Sequence, residues 1–297
     1  MNFIHYSLFI ELMIFLTGDV HFKNKRLFTE QKFMAITEVE ASNKYIQIVH
    51  KYGIKATLFF TGKSFEEEAD VIKDILKFKN LEIGGHTYNA YQPDILYRLL
   101  RKFNPPLPPF IKGGEGGIME WWQERDVVKT IQAIKKVSGE NIVSWRNHAY
   151  RFDKYTYRIL KKYGIKVVSN DVAPQKKIPE KILIQRVHDE NDALISLPIN
   201  VMPDHEHLYH GEKKYRKGVK ESFGHYSQGI FYFIDKWFEI IKGEIESIEK
   251  ENGFATILAH PSCMEISDEM ETFDKLCSFL SQYKTAFVRE AIISNEQ

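Results

Sequence analysis

Seven apolar runs of strand length recur along the chain, and longer segments with helical periodicity separate them. The runs are residues 12–17, 55–60, 81–83, 141–145, 166–169, 193–199 and 254–259, with a weaker eighth at 286–288. They are continuous rather than alternating, the pattern of strands covered on both faces. Between them, residues 38–51, 69–78, 119–137 and 230–248 carry apolar side chains three and four apart, as amphipathic helices do. Regular alternation of strand and helix implies a parallel sheet. A short repeat supports this reading: Lys51-Tyr52-Gly53-Ile54-Lys55 recurs as Lys162-Tyr163-Gly164-Ile165-Lys166. Each copy ends a helix on a glycine and starts a strand on an isoleucine. The rhythm runs through residues 1–297, which predicts one α/β domain. Residues 92–118 and 203–228 interrupt it and are expected to be long loops over one end of the fold.

Composition removes several function classes. A formal net charge of +1 gives no bulk electrostatic case for a nucleic-acid partner. The two cysteines, Cys263 and Cys277, make no disulfide scaffold and no C-x-x-C site, and free thiols fit a cytoplasmic location. Residues 3–16 are largely apolar, but no Lys or Arg precedes them and Glu11 interrupts them. That argues against a signal peptide, and the run is too short for membrane insertion. The sequence sets no oligomeric state.

Polar residues succeed these runs. Thr17-Gly18-Asp19-Val20-His21 comes after the first, Gly84-Gly85-His86 after the third, and Arg146-Asn147-His148 after the fourth. Asn170-Asp171 comes after the fifth, and His260-Pro261 after the seventh. Singly, each histidine reads more readily as structural, as His148 and His188 do. Together they matter, because in a parallel α/β barrel all such strand ends share one rim, where active sites form.

These segments resemble the motifs of the polysaccharide deacetylase (NodB-homology) superfamily. Thr17-Gly18-Asp19 resembles its first motif, Leu81-Glu82-Ile83-Gly84-Gly85-His86-Thr87 its metal motif, and Leu258-Ala259-His260-Pro261 its final histidine motif. Arg146-Asn147-His148-Ala149-Tyr150 stands at its arginine motif, and residues 52–62 look like its second strand. The resemblance spans about residues 12–290. It implies a distorted (β/α) barrel of about seven parallel strands and a hydrolase of amide-type C–N bonds. It also implies roles: His86 as a metal ligand, Asp19 as general base, Arg146 as the group orienting it, and His260 as general acid. Val20 and Ala90 stand where the usual members have two further ligands. His21, two residues from Asp19, can share its face of a strand. Asp19, His21 and His86 are therefore the expected ligand set for a divalent metal such as zinc.

Asp204-His205-Glu206-His207-Leu208-Tyr209-His210 adds a second cluster. His205, His207 and His210, with His148 and Tyr150, are candidate substrate contacts, although a solvated polar loop explains the cluster equally well. The expected substrate is an N-acetylated sugar or polysaccharide. A small cyclic amide or ureide is the alternative, and a non-catalytic glycan-binding barrel is the rival from another class. Cys263 has no partnering base in the sequence and is not read as a nucleophile.

Overall fold

The first apolar run becomes the strand on which the sheet is organised. The computed structural model describes residues 12–103, 117–172, 183–186, 193–209, 231–250 and 253–295. β1 (Met13–Val20) is followed by α1 (Glu38–Lys51), β2 (Ala56–Phe60), α2 (Gly62–Glu67), α3 (Ala69–Ile75) and β3 (Leu81–Gly85). Then come α4 (Asp94–Phe103), α5 (Gly117–Ser138), β4 (Ser144–Trp145), α6 (Thr156–Lys162) and β5 (Val167–Val168). β6 (Leu183–Arg186), β7 (Ala193–Ser196), α7 (Asp204–His207), α8 (Ile234–Lys250) and β8 (Phe254–Leu258) come next. The described chain ends through α9 (Pro261–Asp268), α10 (Glu271–Leu280), β9 (Lys284–Thr285) and a 3-10 helix, Val288–Asn295.

Seven strands run parallel in the order β7-β5-β4-β3-β2-β1-β8, with β6 antiparallel on the β7 edge and β9 paired to the start of β1. The barrel closes through Asn200. Asn200, just past β7, accepts the Thr256 N–H at 2.7 Å and donates to the Phe254 carbonyl at 2.7 Å. Its backbone N–H also donates to the Thr256 carbonyl at 3.4 Å, so main chain and side chain together join the β7 segment to β8. The result is a distorted (β/α) barrel of seven parallel strands, as the strand–helix rhythm and the resemblance implied. Gly53 and Gly164 adopt φ of +67° and +87°, the left-handed turn at both copies of the repeat. Among the described residues no helix is long and apolar enough to cross a membrane.

Three expectations need correction. The eighth apolar run is not a strand: β9 precedes it, and Val288 opens the 3-10 helix. Residues 92–118 are not all loop, because α4 occupies 94–103 and α5 begins at Gly117; residues 104–116 lie outside the described part. Residues 204–207 are one helical turn, and 210–228 lie outside the described part.

One glycine fixes how closely the ends of β1 and β8 approach. A Cβ on Gly18 would stand 2.6 Å from the Ala259 carbonyl oxygen and 3.0 Å from Pro261 Cδ. The obstacle is backbone, so relief requires a strand to move. Gly18→Ala should therefore destabilise the fold by about 1–3 kcal/mol and push His260 away from Asp19. Thermal denaturation and activity measured together test this; an unchanged midpoint would show that the strands separate freely.

Candidate active site

β1 stays regular through Val20, so alternate residues share a face. Val20 is fully buried in the core, while Thr17, Asp19 and His21 turn to the other side. Strand geometry therefore explains why position 20 holds an apolar residue and position 21 a histidine.

Arg146 is wholly buried at the end of β4, and all three of its guanidinium nitrogens donate to neighbouring oxygens. Nη1 donates to Asp19 Oδ1 at 2.9 Å, and Nη2 donates to Thr17 Oγ1 at 3.0 Å and Ser169 Oγ at 2.8 Å. Nε donates to the Ser169 carbonyl at 3.0 Å, and the guanidinium lies over Phe59 at 4.5 Å. Burial alone would raise the Asp19 pKa, but His86, Arg146 and His260 outweigh it and hold the carboxyl well below the usual range. His86 is itself neutral at ordinary pH, so the permanent charge of Arg146 is the dependable part of that effect. Asp19 is thus ionised, with Oδ1 fixed and Oδ2 facing the site.

Three histidines converge beside it. His21 Nε2 lies 3.2 Å from His148 Nδ1, which lies 3.4 Å from His86 Nε2. One nitrogen from each ring falls within 4.8 Å of the others, a spacing that can hold a metal ion. The far nitrogens of two rings are engaged. His86 Nδ1 must donate to the Arg146 carbonyl at 2.9 Å, which leaves a lone pair on Nε2. His21 Nδ1 meets Glu38 Oε2 at 2.9 Å, and Gln31 Nε2 donates to Glu38 Oε1 at 2.7 Å. Phe28 stacks on His21 with ring centroids 4.2 Å apart. Burial first, then cationic neighbours, lowers the His86 pKa to about 3 and depresses that of His148. Burial opposes charge on His21 as well, but Glu38 prevails and raises its pKa. Nitrogen lone pairs gathered this closely repel unless a proton or a cation lies among them, so the donor set fits a divalent transition metal.

Glu38→Gln tests the support of that set. The change keeps the shape and removes the charge behind His21. Metal affinity should fall about 10–100-fold, as read by competition with a chromophoric chelator; an unchanged affinity would take His21 out of the ligand set.

His260 caps α9 on the other side of Asp19. Its Nε2 lies 3.5 Å from Asp19 Oδ2, and its Nδ1 meets Asp204 Oδ1 at 2.7 Å. Burial lowers the His260 pKa, but Asp204 and Asp19 overcome it and raise it well above the ordinary value. An ionised carboxylate and a protonated imidazole therefore stand side by side. Tyr150 adds a phenol within electrostatic reach of Glu206, Arg146 and Asp19. The approaches are strained: Thr87, Ala90 and Tyr91 after β3, and Ala149 and Tyr150 after β4, all have φ between +53° and +65°. Such left-handed non-glycine residues gather at functional sites.

Residues 34–168 match the family model for polysaccharide deacetylases. That span contains His86, Arg146 and His148. That part of the chain is similar to the polysaccharide deacetylases. Solved structures share the chain's fold at low identity. A protein assigned as a polysaccharide deacetylase from Mycobacterium smegmatis is 14% identical, with a TM-score of 0.69 over 97% of this chain and 91% of that one. PuuE allantoinase is 10% identical, with a TM-score of 0.63 over 96% and 90%. A CE4 family pseudoenzyme from Bacillus anthracis is 14% identical, with a TM-score of 0.52 over 95% and 65%. A comparison with the curated proteins finds no match.

The fold brings Asp19, His21, His86, Arg146 and His260 together at one rim. Asp19 stands beside the three-nitrogen cluster, with Oδ1 held by Arg146 and Oδ2 3.8 Å from His86 Nε2. His148, expected as a substrate contact, supplies the third nitrogen. Ala90, at the usual place of a ligand, instead packs with Phe22 and Phe28. His205 is exposed beside His260, with ring centroids 5.2 Å apart. His207 is buried in α7 at 2% exposure, so it is not placed as an open substrate contact. His210 lies outside the described residues. The sequence reading missed Asp204 and Glu38. Asp204 opens the noticed His-rich segment, but Glu38 looked like an ordinary acidic first turn of a helix.

Proposed function

We propose that the chain removes acetyl groups from an N-acetylated sugar or polysaccharide, with His21, His86 and His148 holding a divalent metal, zinc by the chemistry of an all-imidazole set. The observation that carries this reading is Asp19 Oδ2, which lies 3.8 Å from His86 Nε2 and 3.5 Å from His260 Nε2. A base thus stands between a metal-competent cluster and an acid. Bound there, a divalent metal would polarise the acyl carbonyl and acidify water. Asp19, ionised and held by Arg146, takes the proton of the attacking water. His260, charged between Asp204 and Asp19, gives a proton to the departing nitrogen. The division of labour follows from environment: Arg146 keeps Asp19 without a proton, and Asp204 keeps one on His260. The Tyr150 phenol, within electrostatic reach of Asp19, is the group assigned to a sugar hydroxyl in this reading.

A pure glycan binder needs neither the base nor the acid, so the retained pair argues against that rival. The small-ureide alternative calls for the same groups and differs only in substrate. The test is elemental analysis of the purified protein together with acetate release from N-acetylglucosamine oligomers, run beside a panel of cyclic ureides. We expect bound zinc and acetate. Ureide turnover without acetate would move the substrate class. No metal and no turnover on either panel would sink the proposal.

A further inference from the structure

His260 also belongs to another set of soft donors. His260 caps α9 and Cys263 lies three residues on, so the first helical turn presents both on one side. His205 reaches them from α7. One donor atom from each of His205, His260 and Cys263 falls within 4.8 Å of the others. Cys263 Sγ is 3.9 Å from His205 Nδ1. In a tetrahedral zinc site with Zn–N of about 2.0–2.1 Å and Zn–S of about 2.3 Å, the N···S edge is about 3.5 Å, so small side-chain rotations close the set. Cys263 and His260 are buried while His205 is exposed, which leaves an entrance from solvent. A further acceptor is at hand. Glu206 feels the charges of His205 and His260, and its buried Oε2 has no hydrogen-bond partner.

We propose that His205, His260 and Cys263 form a second, inhibitory site for a thiophilic divalent cation such as zinc. Coordination displaces the proton of the Cys263 thiol and the acid proton of the His260 imidazolium, with no change of oxidation state. A His260 nitrogen that ligates a metal cannot also deliver a proton to a leaving nitrogen. The first equivalent of zinc therefore supports hydrolysis, and excess zinc stops it. The inhibition rests on the role proposed for His260; the existence of the site does not.

Cobalt(II) titration of the whole chain separates the two statements, because a thiolate ligand gives a sulfur-to-cobalt charge-transfer band that an all-histidine site lacks. Wild type should bind a weaker second equivalent that brings up the band. Cys263→Ala should lose that equivalent and the band, keep basal activity, and require on the order of ten-fold more zinc for inhibition, about 1.4 kcal/mol of lost affinity. Cys263→Ser, which preserves the volume, should behave alike if alanine costs stability. His86→Ala should keep the band while losing the tighter equivalent. A wild-type titration that saturates without the band overturns the proposal, as does zinc inhibition that is unchanged in both Cys263 variants. If the band follows Cys263 but no substrate is turned over, the site stands and the deacetylase reading fails instead.

Discussion

His148→Ala should release the metal and abolish hydrolysis while leaving the barrel folded. His148 Nδ1 is the nitrogen that lies between those of His21 and His86, at 3.2 Å and 3.4 Å. Losing a group that merely supports a ligand costs about 10–100-fold in affinity. Losing a ligand from a set of three should cost on the order of 10³-fold or more, which empties the site at micromolar metal. The residue is half-buried, and its ring packs against the other two histidines and Phe28, so little core is lost. Equilibrium dialysis with elemental analysis reads the result, and thermal denaturation checks the fold. Asp19→Asn is the companion variant. It should keep the metal and lose turnover, because Asp19 stands outside the cluster. The opposite pair of results, metal kept in His148→Ala and lost in Asp19→Asn, would restore the ligand set of Asp19, His21 and His86 that the sequence suggested.

That difference shows where sequence reasoning reaches its limit. The strands were legible because burial on both faces demands uninterrupted apolar runs such as 254–259. The rim was legible because polar residues such as Asp19, His86, Arg146 and His260 stand directly after those runs. The two-residue period of β1 paired Asp19 with His21 correctly. Nothing in that period says which of several rim groups share a sphere of a few ångströms. In the proposed set, Arg146 takes one oxygen of Asp19, and His148, just before the left-handed residues Ala149 and Tyr150, brings its Nδ1 beside His21 and His86. Glu38 was out of reach for another reason. Its spacing from His21 carries no period, and a glutamate in the first turn of a helix is explained by the helix dipole alone. Very short strands also escape: β9 pairs only Lys284 and Thr285 with β1, and neither is apolar enough to mark it. Closure through Asn200 has no sequence signature at all.

His260→Ala should lower kcat by about 10²–10⁴-fold without releasing the metal, and Asp204→Asn should move the alkaline limb of kcat/KM toward lower pH. The second result carries more information, since Asp204 touches the acid rather than the substrate. Burial by itself lowers the His260 pKa; Asp204, then Asp19, raises it well above the ordinary value. A group whose folded pKa lies above its unfolded value adds stability that is fully present below the unfolded pKa, about 6.5 for histidine. That stability is lost as pH rises through the folded pKa. Asn at 204 keeps the shape of the side chain and removes the charge, so the imidazolium is held less firmly. The acid then loses its proton at lower pH, and the stability gained by charging it below about pH 6.5 shrinks with it. Asp19 stays ionised in both proteins, because Arg146 still holds it, so the acid limb should not follow. Rate profiles and thermal midpoints over the same pH range provide the two readouts. An alkaline limb that stays in place in Asp204→Asn, with His260→Ala still inactive, would mean that the limb belongs to another group and that Asp204 serves only to position the ring.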